Sequence, residues 1–252
     1  MSGIFGVFDF DGRPASAVEC SILADARLDY RDDLCRALGL TLSETLDDAD
    51  LILATYLKWG EACVDHLRGD FAFAIRDPRE NRLFCARDHF GMRPFYYSYA
   101  PGERFVFGSD ARDVFRVPEV PYAINEGRIA DFLVPELEWI DYTSTFYEGI
   151  LRLPPGHRLT VTPDTLKMTE YWTPTPGPAL PKMSDAEYRD GFLDVFTKAV
   201  DQRLRSSTGN VGAMLSGGMD SGSVAAIAND LLDISGAGPL RTVSAARERG
   251  AE

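Results

Sequence analysis

The chain has 252 residues, of which 45% are hydrophobic, and it carries a formal net charge of −13 at pH 7. This length and apolar content suit one large or two ordinary folded domains and exclude a largely disordered chain. The acidic balance argues against a nucleic-acid partner or an anionic membrane surface, since either would require a basic face.

Targeting and metal signals are absent from the sequence pattern. No apolar run approaches the roughly 18 residues of a membrane-spanning helix, and Asp9 and Asp11 interrupt the place where a secretory leader would run. The four cysteines, at positions 20, 35, 63 and 85, form no Cys-x-x-Cys pair. This spacing predicts reduced, mostly buried thiols rather than a zinc or thioredoxin-like site. We therefore expect a cytoplasmic protein with no membrane partner.

Short strands and a helix are predicted from the start of the chain. Residues 4–10 and 22–29 form two predicted strands. The stretch DDADLILATYLKWGEACVDHLRG then predicts one helix, with Asp48 as its N-cap and Gly69 just after its end.

Two predicted hairpins follow this helix. FAFAIR and RLFCAR flank the turn DPREN, and PFYYSY and RFVFGS flank APGE. Residues 125–134 predict a further helix, and HRLTVT predicts a strand. Paired strands with few helices indicate an α+β fold of stacked antiparallel sheets with helices on the outside.

The pattern changes after a proline-rich linker at 173–184, where TPTPGPALPKMS has four prolines in twelve residues. Ser184 and Glu187 predict a capping box at the start of a long helix. NVGAML then predicts a short buried strand, SGGMDSGSVAAIANDLL a loop leading into a helix, and LRTVSA a second strand. A strand, a helix and a strand in this order predict a parallel sheet.

The segment LSGGMDS carries the clearest chemistry. A strand ends, two glycines allow a tight turn and a helix begins, so that backbone N–H groups converge on one point. Asp220 would repel a phosphate directly, and its carboxylate therefore predicts a bridging Mg²⁺. The alternative is a turn rich in glycine and serine that binds nothing. The segment resembles the pyrophosphate-binding loop, Ser-Gly-Gly-x-Asp-Ser, of ATP pyrophosphatase enzymes. The resemblance implies that the residues of this loop are Leu215, Ser216, Gly217, Gly218, Asp220 and Ser221.

The motifs GIFGVFDFDG, LRGDFAFAIRD, RLFCARDHFGMRPFYY, FYEGILRLPPGH, YW and LSGGMDS occur in the order seen in glutamine-hydrolysing asparagine synthetases. The chain resembles that family over nearly its whole length. The resemblance implies a glutaminase domain over 1–172, of the N-terminal-nucleophile αββα type. It also implies the first part of an α/β ATP-pyrophosphatase synthetase domain over 185–252, with ATP and Mg²⁺ as cofactors. Such enzymes activate a carboxylate as an acyl-adenylate, which ammonia then attacks.

Ser2 stands where the family has its nucleophilic cysteine. Asp25, Ala26 and Arg27 stand in place of the family's Asn-Gly-Glu segment, and the segment whose arginine grips the glutamine carboxylate is missing. Asp48 is the remaining acidic residue that would receive the glutamine amino group. We therefore predict that glutaminase activity is lost. The alternative is a working serine nucleophile that uses its own α-amino group as the base.

Three further residues lie in strands and turns that resemble the family. We predict that Arg87, Asp88 and Arg93 form buried ion pairs that lock the sheets or face the second domain, and a catalytic role is the alternative.

Enzymes of this family are much longer, so the resemblance predicts a truncated or split synthetase. A second chain would then supply the rest of the domain, and this chain alone would form no amide bond. The resemblance implies one of two substrates. The first is aspartate with ammonia. The second is a small-molecule or peptide carboxylate closed onto an internal amine, as in β-lactam synthetase and lasso-peptide macrolactam synthetases. Two other functions stay open: a non-catalytic scaffold or partner subunit, and a serine N-terminal hydrolase.

Overall fold

The computed structural model describes residues 3–10, 19–41, 43, 45–137, 140–205 and 211–245. The chain divides into two compact units, Met1–Thr175 and Pro176–Glu252. In the described ranges, no helix is both long enough and apolar enough to cross a membrane.

Two antiparallel sheets build the first unit. One sheet has the strand order β1-β6-β5-β7, and the other has the order β2-β3-β4-β8-β9. The strands are β1 (Phe5–Asp9), β2 (Ser21–Leu28), β3 (Gly69–Asp77), β4 (Arg82–Arg87), β5 (Tyr96–Ala100), β6 (Arg104–Gly108), β7 (Leu151–Arg152), β8 (His157–Val161) and β9 (Leu166–Glu170). The helices are α1 (Arg31–Leu38), α2 (Asp48–Trp59), a 3₁₀ helix (Gly60–His66), α3 (Ala111–Val114) and α4 (Glu126–Leu133).

The central strand β3 is apolar on both faces, because it lies between two packed layers. Phe71, Phe73 and Ile75 are buried in one cluster with Ile52 and Tyr56 of α2. Successive side chains of a strand point to opposite faces. This outer face of the sheet is therefore covered by helix α2.

The other face of β3 packs against the second sheet. The intervening residues Ala72 and Ala74 share a buried cluster with Phe105 and Phe107 of β6. Small side chains on β3 thus oppose large aromatic ones on β6, which lets the two sheets interdigitate.

The outer face of the first sheet is covered in turn. Val106 of β6 and Ile150 are buried in a third cluster with Val114 of α3. The layers therefore run helix, sheet, sheet, helix. This arrangement confirms the α+β fold of αββα type that was predicted from the sequence.

Helix α2 begins one residue away from the predicted position. Its N-cap is Asp47, whose side chain accepts a 2.7 Å hydrogen bond from the N–H of Asp50. The prediction of Asp48 as N-cap is therefore wrong, and Asp48 is the first helical residue. The α-helix also ends earlier than predicted, at Trp59, because Gly60 adopts φ +59° and the chain continues as a 3₁₀ helix.

The second unit contains α5 (Asp185–Leu204), β10 (Gly212–Met214), α6 (Met219–Ser235) and β11 (Arg241–Val243). Strands β10 and β11 pair in parallel, which confirms the predicted sheet type. The prediction that NVGAML is buried is wrong for the residues described here, since Met214 is 85% exposed.

The predicted capping box at the start of α5 is present. The Ser184 side chain accepts from the Glu187 N–H, and the Glu187 carboxylate accepts from the Ser184 N–H at 2.8 Å.

Candidate functional site

A cleft of about 910 Å³ lies beside the first described residues of the chain, and Gly3, Ile4 and Asp25 form part of its lining. The Ile4 N–H donates to Ser109 Oγ and the Ser109 N–H donates to the Ile4 carbonyl, each at 2.9 Å. These bonds fix the start of β1 against the end of β6. Ser2 itself lies outside the described residues, and its predicted loss of function stays a prediction.

Strand β2 carries Asp25, Ala26 and Arg27, the segment that we predict to stand in place of Asn-Gly-Glu. Asp25 is buried, and its carboxylate lies 3.6 Å from the Arg93 guanidinium at the cleft wall. Arg27 forms a 2.6 Å ion pair with Asp29. Both charged side chains of the segment, Asp25 and Arg27, are therefore held in ion pairs.

Asp88 organises the turn that presents Arg93. Its carboxylate is buried and accepts hydrogen bonds from the backbone N–H groups of Phe71 (3.2 Å), Phe90 (3.1 Å), Met92 (2.9 Å) and Arg93 (2.9 Å). Four N–H donors around one carboxylate fix the path of the backbone between residues 88 and 93.

Arg87 secures the same turn from the other side. Its guanidinium donates to the carbonyl oxygens of Arg93 (2.7 Å), Leu153 (2.7 Å) and Gly91 (2.6 Å). Burial lowers the pKa of Arg87. Gly91 adopts φ +66°, and a Cβ there would lie 2.9 Å from the Arg87 guanidinium, so glycine is required.

The prediction of buried ion pairs is therefore only partly right. Arg93 does pair with an acid, Asp25. Within the described residues, however, Arg87 and Asp88 bind backbone groups and form no ion pair with a neighbouring side chain. Their role is to shape the turn.

Asp48 is engaged at the junction of β2 and α1. Its carboxylate accepts a 3.0 Å hydrogen bond from the Leu28 N–H and lies 3.0 Å from Arg31 Nε. These contacts join α2 to the end of β2. The predicted role of Asp48 as receiver of a glutamine amino group stays a prediction.

In the second unit, the predicted pyrophosphate loop connects β10 to α6. The Leu215 N–H donates to the Val243 carbonyl at 2.9 Å, which extends the parallel pairing up to the loop. Gly217 adopts φ +80°, a left-handed conformation that favours glycine. The hydroxyl oxygens of Ser216 and Ser221 lie 3.0 Å apart across the turn.

The N-terminus of α6 is open to a ligand. Its N-cap is Gly218, and no side chain caps the first turn, so backbone N–H groups there point outward without an internal acceptor. A Cβ built at Gly217 would meet no atom within 4 Å, so the loop is open on that side. This cradle fits an anion such as phosphate.

Asp220 is exposed in the first turn of α6. No group of three or more His, Cys, Asp or Glu side chains in the described part of the chain is placed to hold a metal ion. The residues therefore fit Mg²⁺ only as an ion shared between Asp220 and phosphate oxygens, and they do not form a closed protein site.

Comparison with known proteins agrees with this organisation. Residues 30–172 match the glutamine amidotransferase domain family, and residues 191–252 match the asparagine synthase family. Asparagine synthetase [glutamine-hydrolyzing] 3 of Bacillus subtilis is 33% identical over 86% of this chain and 34% of its own length. A putative asparagine synthetase of Methanocaldococcus jannaschii is 32% identical over 77% of this chain and 37% of its own length.

The chain thus spans about a third of the length of these curated relatives. Among solved structures, the glutamine phosphoribosylpyrophosphate amidotransferase of B. subtilis covers 67% of this chain with 31% of its own, at 16% identity and a TM-score of 0.44. On the two family matches and the curated relatives, the chain belongs to the asparagine synthetase family, with a glutamine amidotransferase domain at 30–172.

Proposed function

We propose that this chain serves ATP-dependent amide-bond formation of the asparagine-synthetase type, with an amidotransferase domain that does not release ammonia from glutamine. The observation that supports the loss of glutamine hydrolysis is the ion pair between Asp25 and Arg93 in the cleft wall. Asp25 stands at the position where the resemblance places the asparagine of the oxyanion hole.

A carboxylate at that position opposes the chemistry of amide hydrolysis. The transition state of acyl transfer develops negative charge on the carbonyl oxygen, which hydrogen-bond donors stabilise. Removal of one such donor typically lowers the rate by about 10²–10³. A buried acid in its place would also repel the developing charge, and the sequence has Ser2 where the family has its nucleophilic cysteine.

The second unit supports nucleotide binding. The backbone N–H groups of the first turn of α6 would hold phosphate oxygens, and the Ser216 and Ser221 hydroxyls would donate from the loop. ATP is the nucleotide that the asparagine synthase family uses. Mg²⁺ would neutralise charge on the phosphates, and Asp220 would hold the ion from the protein side.

The acceptor in this proposal is a small-molecule or peptide carboxylate, attacked by ammonia or by an amine of the same substrate. A cleft that does not hydrolyse glutamine favours the second route, macrolactam formation, because ammonia then has no source within the chain. The remaining walls of the synthetase site would lie outside these 252 residues, in a longer form of the protein or in a second chain.

Glutamate release from glutamine tests the proposal. We expect the purified chain and its Ser2→Ala variant to release glutamate at the same background rate. Release that disappears in Ser2→Ala would contradict the proposal and identify a working serine nucleophile.

A replacement of Ser2 separates the loss of the nucleophile from the effect of Asp25. We expect Ser2→Cys alone to remain inactive, because the Asp25 carboxylate still opposes the oxyanion. If Ser2→Cys releases glutamate above background, the pocket is competent and only the nucleophile has been lost.

A further inference from the structure

The turn at 88–93 holds the backbone of Arg93 in place while its side chain reaches the cleft. The Arg93 N–H donates to the Asp88 carboxylate at 2.9 Å, and its carbonyl accepts from Arg87 Nε at 2.7 Å. Its side chain is 34% exposed, so it is partly shielded and still open to the cleft. This is a preorganised position for a side chain that contacts a ligand.

The Arg93 guanidinium is only weakly engaged by the protein. Its described partner is Asp25, with Nη1 and Oδ1 3.6 Å apart, which is longer than a hydrogen bond. Its Nε is shielded from solvent and has no hydrogen-bond acceptor among the described residues. A guanidinium has five N–H donors, and shielded donors without acceptors are destabilising. An acceptor that reaches the exposed part of the guanidinium would therefore gain hydrogen bonds, although it would compete with the Asp25 carboxylate for the same positive charge.

The other two arginines of the cleft, Arg112 and Arg116, have more exposed side chains than Arg93. Arg112 donates two hydrogen bonds to the Asp110 carboxylate, at 3.0 and 2.8 Å. Arg116 lies over the Phe5 ring, 4.5 Å from its centre, and 3.9 Å from Asp113. Two donors of Arg112 are therefore held by Asp110. The Arg116 side chain has no short hydrogen bond among the described residues, but it is 63% exposed, where an ion pair with a ligand contributes little.

We propose that this cleft binds a small organic carboxylate through the Arg93 guanidinium and holds it without a covalent step. Two parallel N–H donors of arginine match the two oxygens of a carboxylate. The inference deepens the proposed function, on which it rests, because it gives a cleft that does not hydrolyse glutamine a ligand class of its own. The carboxylate belongs to an amino acid or to a simple organic acid, and the test separates these sources.

Calorimetric titration of the 252-residue chain provides the test, with glutarate, L-glutamate and the neutral diamide glutaramide as probes. We expect both carboxylates to bind and glutaramide not to bind. Arg93→Gln should weaken carboxylate binding by at least about tenfold, as expected for the loss of hydrogen bonds to a charged group. Arg112→Gln removes the same charge from the same cleft and should change binding by less than about threefold.

The relative affinities of L-glutamate and glutarate show whether the bound carboxylate belongs to an amino acid or to a simple organic acid. Tighter binding of L-glutamate than of glutarate supports an amino acid, with Asp25 beside its ammonium group, whereas equal binding supports a simple organic acid. Arg93→Lys keeps the charge and loses the paired donors, so an intermediate affinity supports the proposal even if Arg93→Gln folds poorly.

Equal carboxylate binding in wild type, Arg93→Gln and Arg93→Lys would overturn the inference. So would binding of glutaramide as tight as that of glutarate, or no binding of either carboxylate. Failure of the proposed function would appear elsewhere, as Ser2-dependent glutamate release, because the titration with glutarate involves no amide.

Discussion

The Tyr56 hydroxyl donates a 2.9 Å hydrogen bond to the buried Asp77 carboxylate and so ties helix α2 to the last residue of β3. Arg79 donates to the same carboxylate through Nε at 2.8 Å and Nη2 at 2.7 Å. The hydrogen bonds from Arg79 have the largest effect on the Asp77 carboxylate. Together with the bond from Tyr56 they hold the pKa of Asp77 well below its usual range. Burial and the Asp77 contact raise the pKa of Tyr56. The pair therefore remains a neutral phenol and an ionised carboxylate near neutral pH.

We predict that Asp77 contributes to stability above about pH 4 and that this contribution is lost in acid. The folded-state pKa lies below the unfolded value of about 4. Folding is therefore favoured by the ionised form above that value, and the stabilisation decreases as pH falls below it. Asp77→Asn should lower the free energy of unfolding at pH 7 and have a smaller effect at pH 3. Urea denaturation at both pH values measures this.

A surface acid provides the control for this prediction. Asp194 pairs with Lys198 on exposed helix α5, with side chains 60% and 65% exposed, and Asp194→Asn should change stability by less than about 1 kcal/mol. An equal loss for Asp77→Asn at pH 7 and pH 3 would show that the effect does not depend on ionisation.

The second prediction concerns the turn at 88–93. Asp88→Ala removes the acceptor of four backbone N–H groups, and each buried donor left unpaired is destabilising by about 1–3 kcal/mol. We expect the free energy of unfolding to fall by at least about 3 kcal/mol, and Asp88→Asn, which keeps one oxygen, to lose less. Equilibrium urea unfolding ranks the variants. Equal losses in Ala and Asn variants would contradict the role of the carboxylate as an acceptor.

Much of the fold could be predicted because its signals are local. The hairpins have short, largely apolar runs on either side of clear turns, and the structure pairs β3 with β4 and β5 with β6 as antiparallel strands. The N-cap of α2 was missed by one residue because Asp47 and Asp48 are adjacent and chemically identical. Only the backbone conformation distinguishes them. Helix α1 was not predicted at all, since it is short and polar and follows Tyr30 in a left-handed conformation, φ +52°.

The site was less predictable, because its contacts are not local. Arg87 and Asp88 are neighbours of opposite charge, which suggested ion pairing. Adjacent residues at the end of a strand point to opposite faces, however, and each side chain found backbone partners instead. The pairing of Asp25 with Arg93 brings together β2 and the turn after β4, and no local pattern in the sequence indicates it.

The third prediction concerns the loop at 215–221. We expect pyrophosphate or ATP to bind weakly and to require Mg²⁺, and Asp220→Ala to remove the Mg²⁺ dependence, since no carboxylate then holds the ion beside the cradle. Calorimetric titration with and without Mg²⁺ measures this. Asp230→Ala, on the same helix far from the loop, is the matched control and should behave as wild type. Binding that is independent of Mg²⁺ and unchanged by Asp220→Ala would argue for the alternative of a turn that is no metal–phosphate site.

The last prediction concerns the order in which the two units lose their structure. In the described part of Pro176–Glu252, the buried apolar residues are Val200, Ala225 and Ala228, whereas Phe192 and Val195 of α5 are each 67% exposed. Little apolar surface is removed from water, so this unit should open before Met1–Thr175, whose sheets enclose large aromatic clusters.

Limited trypsin digestion should therefore cut first after Lys182, in the exposed linker without regular structure, and leave a resistant product of residues 1–182. Lys58 provides an internal control, because it lies in helix α2 and its ammonium donates to the Ala37 carbonyl of α1 at 2.5 Å, so the bond after it should resist cleavage. Lys182→Gln should shift the first cut to Arg205, at the end of α5, without changing the rate at which the first unit is lost. Mass spectrometry of the fragments identifies the sites. Early cleavage at Lys58, at a rate equal to that of the linker, would show that the two units unfold together and that the sheets do not form the more stable part.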